Sequence, residues 1–256
     1  FNPCQYARLR RSSPQLTWGL PPAMPASKKT VQKKARSKKS AIVPTEKSAA
    51  DCFTEECSEL NCGTILADPP WQFTNRTGKV APEHGRLNRY PTLKLDDVKA
   101  IPVHLAAAAK SHLYLWVPNA LLAEGLAVME AWGFTYKSNL VWHKVRKDGE
   151  PDGRGVGFYF RNTTELVLFG VRGSMRTLAP GRRQVNIIKS RKREHSRKPD
   201  ELYQVIEDCS PGPYLELFAR GAFSPNWNVW GNQSDDYEPD WPTYANHSQA
   251  RKTATE

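Results

Sequence analysis

The chain has no apolar run that approaches the ~20 residues needed to span a bilayer, and nothing near its start has the apolar core of a secretory signal. Cysteines are few and odd in number: Cys4, Cys52, Cys57, Cys62 and Cys209. That count does not suit a paired disulfide framework and points to a reducing, intracellular setting, the cytoplasm. Cys52, Cys57 and Cys62 recur at every fifth residue, yet there is no CxxC pair and no paired Cys or His run follows. A structural zinc site would lack its four ligands, so no metal is expected. No GxGxxG follows a strand, which removes the nicotinamide dinucleotide fingerprint. Apolar residues make up 39% of the chain, a little low for a sequence folded along its whole length. Acidic charge is short of its counterpart: 26 Asp and Glu against 37 Lys and Arg leave a formal net charge of +11. One reading of that balance is a polyanionic partner, nucleic acid first; the other is a surface merely kept soluble.

Residues 1–55 carry Pro21, Pro22 and Pro25 and the basic run from Lys28 to Lys39, without apolar periodicity. They read as a disordered basic arm, either clamping phosphates or serving as a solvated linker. The polar stretch 235–256 reads as a flexible tail. Between them, residues 56–234 alternate strand-like and helix-like patterns. Gly63–Ala67, Leu113–Val117, Leu140–Trp142, Leu166–Phe169 and Leu215–Phe218 are short apolar strands, the last a central strand that closes the pattern. Asn119 is placed to cap a helix carrying Leu122, Leu126 and Met129, which Gly133 ends. Pro199 opens another, with Leu202, Val205, Ile206 and Cys209 on one face. The pattern predicts an α/β fold with a mostly parallel sheet and helices on both faces, its ligands beyond the carboxyl ends of the strands.

Asp68 falls at such an end. Pro69 and Pro70 stiffen the turn and lack N–H groups, which leaves carbonyls to accept hydrogen bonds. Trp71 adds a flat aromatic surface. A carboxylate, a carbonyl and an aromatic plate suit a planar base with an exocyclic NH2, the plate stacking on the ring and the acceptors taking the two N–H bonds. Such an amine is a weak nucleophile because its lone pair is delocalised. Acceptors on both hydrogens favour a pyramidal nitrogen, and positioning supplies much of the rest. A strand end with a Pro-Pro turn and a core tryptophan is the plainer alternative.

Asp68-Pro69-Pro70-Trp71 resembles the signature of the MT-A-seventy family of N6-adenine methyltransferases, closest in look to bacterial and phage members. The likeness continues, in order, through Tyr114–Val117, Glu165–Val171, His195–Tyr203, Leu215–Arg220 and Trp230–Gln233. It implies a Rossmann-like S-adenosylmethionine-dependent methyltransferase with permuted motifs, the catalytic segment early and the cofactor strand late. Residue by residue, it implies that Asp68, Pro69, Pro70 and Trp71 are catalytic. Lys198 would lie near the methionine carboxylate of S-adenosyl-L-methionine. Asn232 and Gln233 would bond the ribose, and Glu216 with Arg220 would hold the adenosine end. Tyr90 aligns loosely with a tyrosine beside the substrate. Gly221–Ser224 departs from the His-Asn pair of the messenger-RNA enzyme.

Two basic clusters flank these motifs. One holds Arg182, Arg183, Lys189, Arg191, Lys192, Arg193, Arg197 and Lys198; the other runs from Lys144 to Arg161 beside Phe158, Tyr159 and Phe160. Each is either a solvated face or a backbone groove with stacking for unpaired bases. Arg191, Lys192 and Arg193 are the expected substrate-binding residues. The expectation is therefore adenine methylation in nucleic acid, DNA slightly preferred over RNA, in a homo- or heterodimer or a single copy. An RNA methyltransferase, an inactive nucleic-acid-binding subunit and a methyltransferase for another amine are the alternatives.

Overall fold

The computed structural model describes residues 8–10, 47–72, 92–153, 159–191, 198–219 and 223–231. Strand β1 (Arg8–Arg10) comes first, then helix α1 (Ala49–Cys57) and strand β2 (Cys62–Ala67). Helix α2 (Leu95–Ala100), strand β3 (Ala107–Val117), helix α3 (Leu122–Ala131) and strand β4 (Thr135–Val145) follow. Strands β5 (Thr164–Arg172) and β6 (Ile187–Arg191), helix α4 (Glu201–Cys209), and strands β7 (Tyr214–Leu217) and β8 (Trp227–Gly231) complete the set.

The strands form one eight-stranded sheet in the order β1-β8-β7-β2-β3-β5-β4-β6. From β8 through β3 the neighbours are parallel, as are β4 and β6. β5 is inserted antiparallel to both β3 and β4, and β1 closes one edge antiparallel to β8. The mostly parallel sheet is thus as expected. Every residue of β2 is buried, because it pairs on both sides and is covered on both faces. On one face Phe53, Val98, Met129 and Trp132 from the first three helices meet Ile65, Leu113 and Leu215. On the other, Leu202 and Ile206 of α4 meet Leu66, Trp116, Trp142 and Trp227. Each fully buried aliphatic chain contributes about 1.5–3 kcal/mol before entropy is counted.

Several expectations change. The boundary at residue 55 falls inside α1, whose capping box pairs Ser48 with Asp51 and whose Phe53 is wholly buried. The folded unit therefore reaches back at least to Lys47, and Arg8–Arg10 joins the sheet; the remainder of the arm and the tail 235–256 lie outside the described residues. β7 is a central strand, as expected, flanked by β2 and β8, but part of the basic segment, Lys189 to Arg191, forms β6. Asn119 does not cap α3; it sits in a 3-10 turn and donates from Nδ2 to the Thr164 carbonyl at 3.1 Å. α3 buries Met129 as expected, but alongside Gly125 and Val128, and leaves Leu122 and Leu126 exposed. Gly125 explains the rotation: a Cβ there would stand 2.5 Å from Val117 Cγ2, so the bare backbone lets the helix seat against β3. Gly133 ends the turn as expected, with φ of +82°.

Candidate active site

Asp68 leaves the end of β2, its N–H reaching the Leu217 carbonyl at 3.4 Å, so the motif is tied to the end of β7. The two prolines do not leave free carbonyls. Pro69 accepts from the Trp71 N–H at 2.8 Å and Pro70 from the Leu93 N–H at 3.0 Å. Each oxygen keeps only its second lone pair for a ligand. Trp71 departs further from expectation. It is 8% exposed and belongs to the core, and its Nε1 donates to the Trp116 carbonyl at 2.9 Å. It is a brace under the turn rather than an open stacking plate, because the indole is satisfied only by turning inward.

Lys198 joins the early motif to the late one. Its Nζ lies 3.0 Å from Asp68 Oδ2 and 3.4 Å from Glu165 Oε2, and 4.7 Å over the Trp116 ring. Lys144 pairs with the other oxygen of Glu165 and sits 4.8 Å over Trp142. Two carboxylates and two ammonium groups thus form a chain across the sheet end. β5 runs against its neighbours, so its first turn places Glu165 at the end where β2 and β3 finish. The cluster remains open to solvent: Asp68 is 34%, Glu165 28% and Lys198 20% exposed at the side chain.

The charges set the protonation states. Burial pushes Asp68 above the usual aspartate range, Lys198 opposes that, and Glu165 adds to it. Burial also works to raise Glu165, but Lys198 and Lys144 outweigh it and hold it down to about 2. Lys198 would be lowered by its own burial; the Asp68 and Glu165 carboxylates more than reverse this and keep it charged. Further along, Glu216 at the end of β7 accepts from the Tyr203 hydroxyl. Burial pushes Glu216 up to about 8, Tyr203 pulls it back, and Asp68 raises it.

Asp68, Pro69, Pro70, Trp71, Lys198 and Glu216 are therefore brought to one end of the sheet. Arg191 ends β6 opposite Val145, on the edge strand of the same sheet. Tyr90, Lys192, Arg193, Arg220, Asn232 and Gln233 lie outside the described residues. Sequence reasoning assigned no role to Glu165 or Tyr203, and counted Lys144 only in a basic cluster expected to face nucleic acid or solvent. The available signals were an acid opening an otherwise apolar strand at Glu165 and a tyrosine on the buried side of a helix at Tyr203. Among the described residues, no group of three His, Cys, Asp or Glu side chains is placed to hold a metal ion.

Fold and site together define a Rossmann-like methyltransferase domain. The MT-A70 family model matches residues 62–233, and the chain belongs to that family. It is similar to the type II methyltransferase M.MunI of Mycoplasma sp, 29% identical over 195 residues, covering 70% of this chain and 80% of that protein. It is also similar to the human N(6)-adenosine-methyltransferase catalytic subunit METTL3, 30% identical over 174 residues, covering 67% of this chain and 28% of METTL3. A Drosophila melanogaster N(6)-adenosine-methyltransferase MT-A70-like protein is 31% identical over 174 residues, covering 67% of this chain and 26% of its own. The chain thus spans most of the Mycoplasma relative and about a quarter of the other two. Among the described residues, no helix is long and apolar enough to cross a membrane.

Proposed function

We propose that this protein transfers a methyl group from S-adenosyl-L-methionine to the exocyclic N6 amine of adenine in a nucleic acid, with DNA preferred over RNA. The observation that carries it is the Lys198–Asp68 pair at 3.0 Å, which makes one site of two segments far apart in sequence. The residues present suit the cofactor by the chemistry of their donor sets. Lys198 has three N–H donors and spends two on Asp68 and Glu165, which leaves one for the methionine carboxylate. Glu216 offers an acceptor to the adenosine end, the natural partner of hydroxyl donors. Asn232, Gln233 and Arg220 are its further ligands on this reading. Bound, the cofactor supplies an electrophilic methyl group on a sulfonium.

The remaining work belongs to the chain. Asp68 accepts one N–H of the amine, and the spare lone pair of the Pro69 or Pro70 carbonyl accepts the other. Both bonds pull the nitrogen toward a pyramidal shape, its lone pair free to attack. Lys198 and Glu165 hold the Asp68 carboxylate in place, so little reorganisation remains at the moment of reaction. A base reaches this turn only when unpaired or flipped from its stack. Arg191, Lys192, Arg193 and Tyr90 are the proposed substrate contacts. The DNA preference rests on the match to 80% of the bacterial relative, against the 28% of METTL3 that is matched. Mass spectrometry of nucleosides after incubation with labelled cofactor and either DNA or RNA tests the proposal. N6-methyladenine in DNA above RNA is expected, and labelled product in neither polymer overturns the reading.

A further inference from the structure

Tyr203 has no assigned part in the site, yet its setting is more constrained than packing requires. Its hydroxyl lies 2.9 Å from Glu216 Oε1 and 3.0 Å from Oε2. A phenol has one proton, so a hydroxyl centred between both oxygens fixes the plane of the carboxylate rather than tethering one end of it. The ring is itself immobilised. It stacks on Phe223 with centroids 4.2 Å apart and planes 2° from parallel, and meets Trp227 edge-on at 5.1 Å. The clamp thus draws on α4, the β7–β8 connection and β8, and it closes on a residue of β7.

We infer that Tyr203 is a positioning residue for the cofactor: it holds the Glu216 carboxylate in the orientation that accepts hydroxyl donors from the adenosine end of S-adenosylmethionine. This rests on the methyltransferase reading above. Among the described residues, the groups facing the carboxylate are Tyr203 from α4 and Asp68 from the end of β2; Asp200, ahead of α4, acts on Tyr203 in turn. Burial and the Glu216 charge raise the Tyr203 phenol well above 10, so it stays a donor throughout the neutral range. Glu216 holds its own proton up to about 8 in the cofactor-free site. An acceptor role requires that proton to leave, so binding releases it and tightens as pH rises toward 8. Without the Tyr203 hydroxyl the carboxyl titrates higher still.

Calorimetric titration of S-adenosylhomocysteine into the wild type, Tyr203→Phe and Glu216→Gln across pH 6.5 to 8.5 tests this, with ligand-free thermal melts alongside. The wild type is expected to bind more tightly as pH rises. Tyr203→Phe is expected to bind about five- to tenfold more weakly at neutral pH, the size of one lost ordinary hydrogen bond. Its affinity rise moves to higher pH, and its melting temperature stays close to that of the wild type. Glu216→Gln is expected to be weak and flat with pH. A Tyr203→Phe binding curve that superimposes on the wild type overturns the inference, as does a lowered melting temperature with unchanged affinity. Wild-type affinity and slope in Glu216→Gln would instead remove Glu216 from the cofactor site, whatever Tyr203 does. Should Tyr203→Phe not fold, Phe223→Leu loosens the same clamp with the hydroxyl retained. It is expected to weaken binding less, with the same upward shift in pH, and wild-type binding by it counts against the clamp.

Discussion

Replacing Lys198 by Met keeps the length of the side chain and removes its charge, which isolates what the ammonium does for Asp68. Among the described residues, Lys198 alone acts against the burial and the Glu165 charge that both push Asp68 upward. At the observed 3.0 Å, two unit charges attract by roughly 5 kcal/mol at an effective dielectric near 20. Asp68 is 34% and Lys198 20% exposed, so solvent takes most of that, and a net of about 1–2 kcal/mol is a sounder figure. Such a loss raises the Asp68 titration by roughly one pH unit. The sign is fixed: the ionised form is the hydrogen-bond acceptor, so the acid limb of the rate profile moves to higher pH. Single-turnover methyl transfer at saturating cofactor, measured from pH 5 to 9, reads this apart from weakened cofactor binding. Lys198→Arg, which retains the charge, is expected to keep the limb close to its native position, with a lower rate from altered geometry. A Lys198→Met profile parallel to the wild type would refute the claim that Lys198 tunes Asp68.

Asp68→Ala is expected to abolish methyl transfer while leaving the far-UV circular dichroism and the nucleic-acid affinity close to native. Trp71→Ala is expected to cost about 3–5 kcal/mol in denaturant unfolding, since a core aromatic is lost together with its bond to the Trp116 carbonyl. Gly125→Ala is expected to lower stability by about 1–3 kcal/mol in the same assay, despite the better helix propensity of alanine, because the new methyl overlaps Val117. Glu165 is held down to about 2, below its unfolded value near 4.5, so it contributes stability above that value, lost as pH falls from 4.5 toward 2. The ceiling is roughly 3 kcal/mol, reduced to about 1–2 kcal/mol by solvent screening at 28% exposure; the difference between wild-type and Glu165→Gln stability curves reads it.

What the sequence shows of this molecule follows from which physical signals are local. β2 is legible because a strand buried on both faces has to be apolar along its length, and Asp68 stands out because it ends such a run. The α4 stripe is legible because Leu202, Ile206 and Cys209 repeat at the helical period. β6 was hidden, since an edge strand paired on one side tolerates Lys189 and Arg191 and reads as a basic loop. β8 was hidden for another reason: its residues are all buried, but five residues with asparagine among them carry too little periodicity to separate from a connection. The orientation of Trp71 was not legible at all. An indole in a turn faces a ligand or the core according to where its N–H finds an acceptor, and here that acceptor is the Trp116 carbonyl, 45 residues away in sequence. The same holds for Glu165 and Lys198. Sequence shows two charged residues in separate motifs. Only the reversed direction of β5 brings the first to the second, and that reversal depends on strand pairing across the sheet rather than on any residue of β5. Charges that end up at the same sheet end are therefore chosen by topology, and their partners must be read from the fold before roles are given to them singly.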